Sequence, residues 1–161
     1  MTVDQQDPHA VVLTKPNDLE FRVERVFDHP VERVWAAYTE PDLISQWWGE
    51  GTTVDRIDLR AGGGYRFVQH PGTDKESAFS GEFLEVSPPD RLVQTFGMEG
   101  PYNNPMTQTI EFERVGDGTR LAITSRFGTT EERDGTVKYA GPGAKWGWAR
   151  LDELLQRLAA A

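Results

Sequence analysis

Gly147-Trp148-Ala149-Arg150-Leu151-Asp152-Glu153-Leu154-Leu155-Gln156-Arg157-Leu158 carries one apolar stripe. Gly147, Leu151, Leu154, Leu155 and Leu158 share a helical face, while Arg150, Asp152, Glu153, Gln156 and Arg157 fall mostly on the other. A one-sided helix needs a surface to cover, and the preceding chain supplies a sheet. Between Thr53 and Phe127 turn-forming clusters recur at hairpin spacing: Gly62-Gly63-Gly64, Pro71-Gly72-Thr73-Asp74, Pro88-Pro89-Asp90, the run from Gly100 to Pro105, and Gly116-Asp117-Gly118. They delimit six strands, over 53–60, 64–70, 78–87, 91–98, 106–115 and 119–127. Consecutive strands so spaced pair antiparallel and leave one inner face for the helix.

Upstream, Leu19, Phe21, Val23, Arg25 and Phe27 alternate with charged residues as a half-buried strand does, Arg25 being the odd member of the apolar face. Asp28 and His29 read as cap and first turn of a helix at Pro30, with Val31, Val34, Trp35 and Tyr38 on one stripe. Pro41 interrupts it, and Pro41 to Trp48 restarts as a second short helix ending at Gly49. After the strands, Thr129-Thr130-Glu131-Glu132 matches a capping box. Gly135 and Gly141-Pro142-Gly143 are expected to break that turn, so the main helix is expected to begin after them. The resulting order predicts an α+β helix-grip fold: a curved antiparallel sheet of about seven strands around a long C-terminal helix, with two short helices after strand 1. Residues 19–161 read as a single domain, and the polar stretch 1–18, with Pro8 and Pro16, as a flexible leader.

Composition narrows the function classes. With 26 acidic against 17 basic residues and a net charge of -9, most of the surface repels a phosphate backbone, and the basic residues are scattered; no nucleic-acid partner is expected. The absence of cysteine removes thiol nucleophiles, disulfides and cysteine-ligated metals. No basic segment leads into an apolar core of the kind a secretory signal requires, and no apolar run approaches the roughly 20 residues that span a bilayer, so a cytoplasmic protein without membrane insertion is expected.

Arg25-Val26-Phe27-Asp28-His29-Pro30-Val31-Glu32-Arg33-Val34-Trp35, Thr39-Glu40-Pro41-Asp42-Leu43 and Gln46-Trp47-Trp48-Gly49 together resemble the opening signature of the activator of heat-shock protein 90 ATPase homologue-like family, within the START-like (SRPBCC) superfamily. Gly62-Gly63-Gly64-Tyr65-Arg66-Phe67, Gly81 to Val86, Pro88 to Val93, Gly118 to Leu121 and Gly147-Trp148 extend the likeness, which runs from about residue 19 to 158. It implies the helix-grip fold and a cavity that the superfamily uses for varied small molecules. The eukaryotic namesake is similar to this chain only in its second domain, and the domain associated with chaperone binding has no counterpart here, which argues against a chaperone partner. The stretch 134–145 is looser than the family's usual lead into the terminal helix and is expected to form a flexible segment near the cavity mouth, as a lid or as a passive loop.

Five tryptophans, eight phenylalanines and four tyrosines suit either a tight core or the wall of an apolar cavity. Period-two alternation groups Tyr65 with Phe67, Phe79 with Phe83, Phe96 with Met98, Gln108 with Ile110 and Phe112, and Ile123 with Ser125 and Phe127 as inner-face sets. Phe112 and Ile123 are expected under the terminal helix. The expected ligand-binding residues are Trp48, Tyr65, Phe67, Phe83, Phe96, Met98, Met106, Gln108, Phe127 and Trp148. Trp47 and Trp48 can either anchor the helical corner or face a ligand, whereas Trp35 lies on its helix's core stripe. Gly147 permits either close approach to the sheet, the plainer reading, or space for a guest. Arg25, if buried, needs an acidic or backbone partner, and structural ion pairing is the plainer account.

No catalytic residue, metal set or cofactor motif is legible. Gly62-Gly63-Gly64 precedes a strand, where phosphate-binding motifs require a helix. Of the three histidines only His70 could serve as acid or base, and a solvated turn position explains it as well. Glu111 and Glu113 opposite Arg120 and Arg126 read as an outward ladder of ion pairs. The expectation is a binder of a small apolar or amphipathic molecule held between sheet and helix. The alternatives are a cyclase- or hydrolase-type enzyme using the same cavity through His70, Gln108 and Arg25, and a chaperone- or protein-binding module; a homodimer stays open.

Overall fold

The computed structural model describes Asp7, residues 9–100 and residues 105–161. Expectations for residues 1–6 and 8, and for the centre of the turn between Gly100 and Pro105, lie outside the described residues. The elements are β1 (Val12–Asn17), β2 (Glu20–Phe27), α1 (Val31–Thr39), α2 (Pro41–Trp47), β3 (Thr52–Ile57), β4 (Gly64–Gln69), β5 (Ser77–Ser87), β6 (Arg91–Met98), β7 (Met106–Val115), β8 (Gly118–Arg126) and α3 (Thr130–Ala160). The strands form one sheet in the order β1-β2-β8-β7-β6-β5-β4-β3, with every neighbouring pair antiparallel. Register shifts between Val54 and Arg56 and between Phe83 and Glu85 bend it. This is the α+β helix-grip architecture, with the sheet curved around α3.

Two expectations are corrected here. Residues 12–17, expected within a leader, form β1, which makes the sheet eight-stranded. Leu13 packs against the core, and Pro16 is tolerated because β1 is an edge strand with a partner on one side only. The second correction concerns α3, which runs unbroken from Thr130 to Ala160 through Gly135, Gly141, Pro142 and Gly143. The stretch 134–145, expected as a flexible lid or loop, is therefore helical.

Tertiary anchors explain why weak local propensity did not break this helix. Both halves of the capping box form, Thr129 accepting from the Glu132 amide at 3.1 Å and Glu132 from the Thr129 amide at 3.1 Å. Arg133, buried, donates to the carbonyls of Asn17 at 2.7 Å and Glu20 at 3.1 Å and pairs with Asp134 at 2.8 Å. The start of the helix is thus bonded to the β1–β2 turn that was missed with it.

At the other end, Trp148, Leu151, Leu154 and Leu155 are buried against Phe27, Val31, Val34 and Leu121, forming the solid part of the core. The Trp148 indole donates to the Tyr38 hydroxyl at 2.8 Å and ties α3 to α1. His29 does not cap α1: its cap position is Pro30, without a side-chain bond. The His29 ring instead lies 3.2 Å from Asp152 on α3, and Arg25 approaches the same carboxylate at 3.7 Å. Burial lowers the Arg25 pKa and Asp152 opposes the shift, so Arg25 is an ion-paired residue beside the core, with its guanidinium over the Phe27 ring.

The outer sheet face carries a ladder of ion pairs, but of the expected rungs only Glu113 opposite Arg120 forms, since the register sets Glu111 opposite Ala122 and Arg126 opposite Thr107. Arg22 bridges Glu24 and Glu111, Arg91 bridges Glu85 and Glu111, Arg120 bridges Glu24 and Glu113, and Arg126 pairs with Glu20.

Candidate functional site

The first half of α3 leaves a space that its second half does not. Between the sheet, α2 and α3 lies a cavity of about 410 Å³. Its roof is a run of small residues on one face of α3, namely Ala140, Gly143, Ala144 and Gly147, with Thr136 a turn earlier. A Cβ built on Gly143 or Gly147 would meet nothing within 4 Å. Gly147 therefore does not serve close packing, the plainer of its two readings: it opens space. Exposed Tyr139 is part of the lining and marks where the cavity meets solvent.

The walls are aromatic. Trp48, at the end of α2, stands edge-on to Phe67 at 5.0 Å and Phe79 at 5.1 Å between ring centres, and Phe96 stacks on Phe79 at 5.8 Å. Tyr65 lies beside Phe67 and Phe83 and donates to the Thr95 carbonyl at 2.7 Å. It reaches that carbonyl by crossing Gly81, where a Cβ would come 2.7 Å from the Tyr65 hydroxyl oxygen and 1.8 Å from the Thr95 oxygen. Trp47, buried, donates to the Ala37 carbonyl at 2.8 Å and lines the space as well, so it both anchors the helical corner and faces the cavity.

One row of the floor is polar. Across four strand pairs the register aligns Phe21, Ser125, Gln108, Gln94 and Phe83, all five lining the cavity. The flanking rows are apolar: Val23, Ile123, Ile110 and Leu92 on one side, Met106 and Phe96 on the other. Gln94 donates to the Gln108 carbonyl at 3.1 Å, and Gln108 points its amide at the Met106 thioether 3.9 Å away. No lining residue is Asp, Glu, Lys, Arg or His among the described residues. Burial raises the pKa of the lining tyrosines Tyr38 and Tyr65, keeping both neutral; the Trp148 bond partly offsets this at Tyr38. No group of three or more potential metal ligands is gathered among the described residues, and no helix there is long and apolar enough to cross a membrane.

The family model described as Activator of Hsp90 ATPase homolog 1-like protein matches residues 28–160. The chain belongs to that family. Among solved structures, this family member is similar to a protein from Rhodobacter sphaeroides at 22% identity and TM-score 0.82, covering 92% of this chain and 99% of that one. A protein from Mycobacterium smegmatis matches at 23% and 0.80 over 92% and 99%, and one from Nitrosomonas europaea at 28% and 0.74 over 89% and 99%. Likenesses below a quarter identity establish the fold alone. Among curated proteins, none matches the sequence.

In this member of the Activator of Hsp90 ATPase homolog 1-like family, the structure brings Trp48, Tyr65, Phe67, Phe83, Phe96, Met106, Gln108 and Trp148 around one cavity. Two expected residues stand outside the lining. Met98, the last residue of β6, is 45% exposed. Phe127, just beyond β8, is buried and stacks on Phe21 at 5.7 Å. Phe112 packs under α1, with Trp35 and Tyr38 at 5.2 and 5.6 Å, and not under α3, whereas Ile123 lines the cavity. His70 and Arg25 are absent from the lining, so of the proposed enzymatic trio only Gln108 faces the space. Gln94 was missed although it shares parity with Phe96, and Ile44, Ile57 and, on α3, Thr136, Tyr139, Ala140, Gly143 and Ala144 were missed with it.

Proposed function

We propose that this protein binds one small, largely apolar or amphipathic molecule in the cavity between the sheet and α3, as a binder and not as a catalyst. The observation that carries the reading is the pairing of a small-residue roof with an aromatic floor. Together they leave about 410 Å³ open, within the roughly 300–1,000 Å³ range of small-molecule sites. A helix meant only to seal the sheet would carry Leu at position 147, as it does at 151 and 154. The family's ligand-binding fold supports the same reading. Enzymatic chemistry is not favoured, because no Asp, Glu, Lys, Arg or His side chain lines the space among the described residues, and burial holds the lining tyrosines Tyr38 and Tyr65 neutral.

Titration with the neutral fluorophore N-phenyl-1-naphthylamine tests it. The expected result is saturable binding of one molecule per chain, with a blue-shifted, enhanced emission; an unsaturable, linear signal overturns the proposal.

A further inference from the structure

The floor of the cavity is not uniformly apolar, and its polar part is built. Ser125, Gln108 and Gln94 sit opposite one another on β8, β7 and β6, at the centre of a sheet whose adjacent inner rows carry only apolar side chains. Ser125 is 1% exposed, so a sealed core at this place would favour a hydrocarbon side chain. The two amides are joined in one direction only: Gln94 donates, Gln108 accepts, and the Gln108 amide is left facing a thioether at 3.9 Å, a weak acceptor at long range. Because Gln108 already accepts from Gln94, its own N–H bonds are polarised toward stronger donation. The cavity therefore holds an aligned amide pair whose outward member is an underused donor, beside a serine hydroxyl that can donate or accept.

Charge selects further. The lining brings no cation to hold a carboxylate or phosphate and no anion to hold an amine, so an ionised group placed there loses its hydration without a counter-charge. The rings of Trp48, Phe67, Phe83, Phe96 and Tyr65 supply flat faces and edges suited to an aromatic or conjugated partner.

We propose that the ligand is a neutral, flat, ring-containing molecule bearing a carbonyl or hydroxyl group, and that Gln108, set by Gln94 and flanked by Ser125, reads that group. This rests on the cavity-binding reading and adds the chemical class of its occupant.

The test uses three naphthalenes of matched outline, 2-acetylnaphthalene, 2-isopropylnaphthalene and 2-naphthoate, with affinities read by displacement of N-phenyl-1-naphthylamine. In wild type the ketone is expected to bind about 100-fold or more tightly than the carboxylate, since the latter would be buried unpaired. In Gln108→Leu the ratio of ketone to hydrocarbon affinity is expected to fall about tenfold, with hydrocarbon affinity held or raised. Gln94→Leu, which leaves Gln108 in place without its orienting donor, is expected to lower the ratio by about threefold. Retained hydrocarbon binding shows that each variant is folded and its cavity intact. An unchanged ratio in both variants, or naphthoate within tenfold of the ketone, overturns this proposal and leaves cavity binding standing. If neither hydrocarbon nor ketone displaces the dye from wild type, cavity binding itself fails, and this proposal with it.

Discussion

The two halves of α3 face the same sheet and do opposite things. From Trp148 to Leu158 the helix presents Trp148, Leu151, Leu154 and Leu155, all buried in the core, and of these only Trp148 also borders the cavity. From Thr136 to Gly147 it presents Ala140, Gly143, Ala144 and Gly147, which border the cavity, and a Cβ added at either glycine would meet nothing within 4 Å. One element thus provides both stability and vacancy by a change of side-chain volume, with no change of backbone. The contrast explains how a domain can hold open space without losing its core: the void is confined to half a helix, and the other half carries the burial.

Substitutions can break or sharpen that contrast. Leu154→Ala, in the filled half, should cost about 3 kcal/mol and lower Tm by on the order of 10 °C in thermal denaturation, because a fully buried leucine leaves a cavity behind. Gly147→Leu, in the open half, should abolish N-phenyl-1-naphthylamine binding while leaving stability within about 1 kcal/mol, since its side chain enters space already present. A loss of stability as large as that at Leu154 would mean the halves are alike. Gly143→Ala should raise stability by about 0.5–1 kcal/mol in urea denaturation, as the added Cβ meets nothing and the helix interior loses a glycine.

The smallest effect concerns pH. Affinity for a neutral probe should stay flat between about pH 5 and pH 9, because burial keeps the lining tyrosines Tyr38 and Tyr65 protonated. Their folded pKa values lie above the unfolded ones, so the stability they contribute is complete below about pH 10 and is lost as pH rises beyond it. Alkaline denaturation curves check the sign.

How far the sequence could carry this contrast follows from what each signal encodes. Strand parity placed Tyr65, Phe67, Phe83, Phe96 and Gln108 on inner faces, because a side chain's face depends only on its own strand. It could not align Gln94, Gln108 and Ser125 into a row, since that requires the register between strands, which turn lengths and bulges set. Gly135, Gly141, Pro142 and Gly143 pointed locally to a broken helix. The bonds that overrule them come from Arg133 to carbonyls of residues 17 and 20, more than a hundred positions away. β1 was hidden for a different reason: it pairs locally with β2, but its residues are nearly all exposed and include Pro16, so no alternation of apolar and polar side chains marks it as a strand. The Leu stripe at 151–155 was legible because it is both local and strongly periodic.

The buried guanidinium of Arg133 also bears on how the proposed guest would enter and leave. With one end of the roof beam riveted to the β1–β2 corner and the other embedded among leucines, swinging it aside would strand a cation away from its acceptors. For that guest the flank would be the cheaper route, because the ring of Tyr139 already stands in water there.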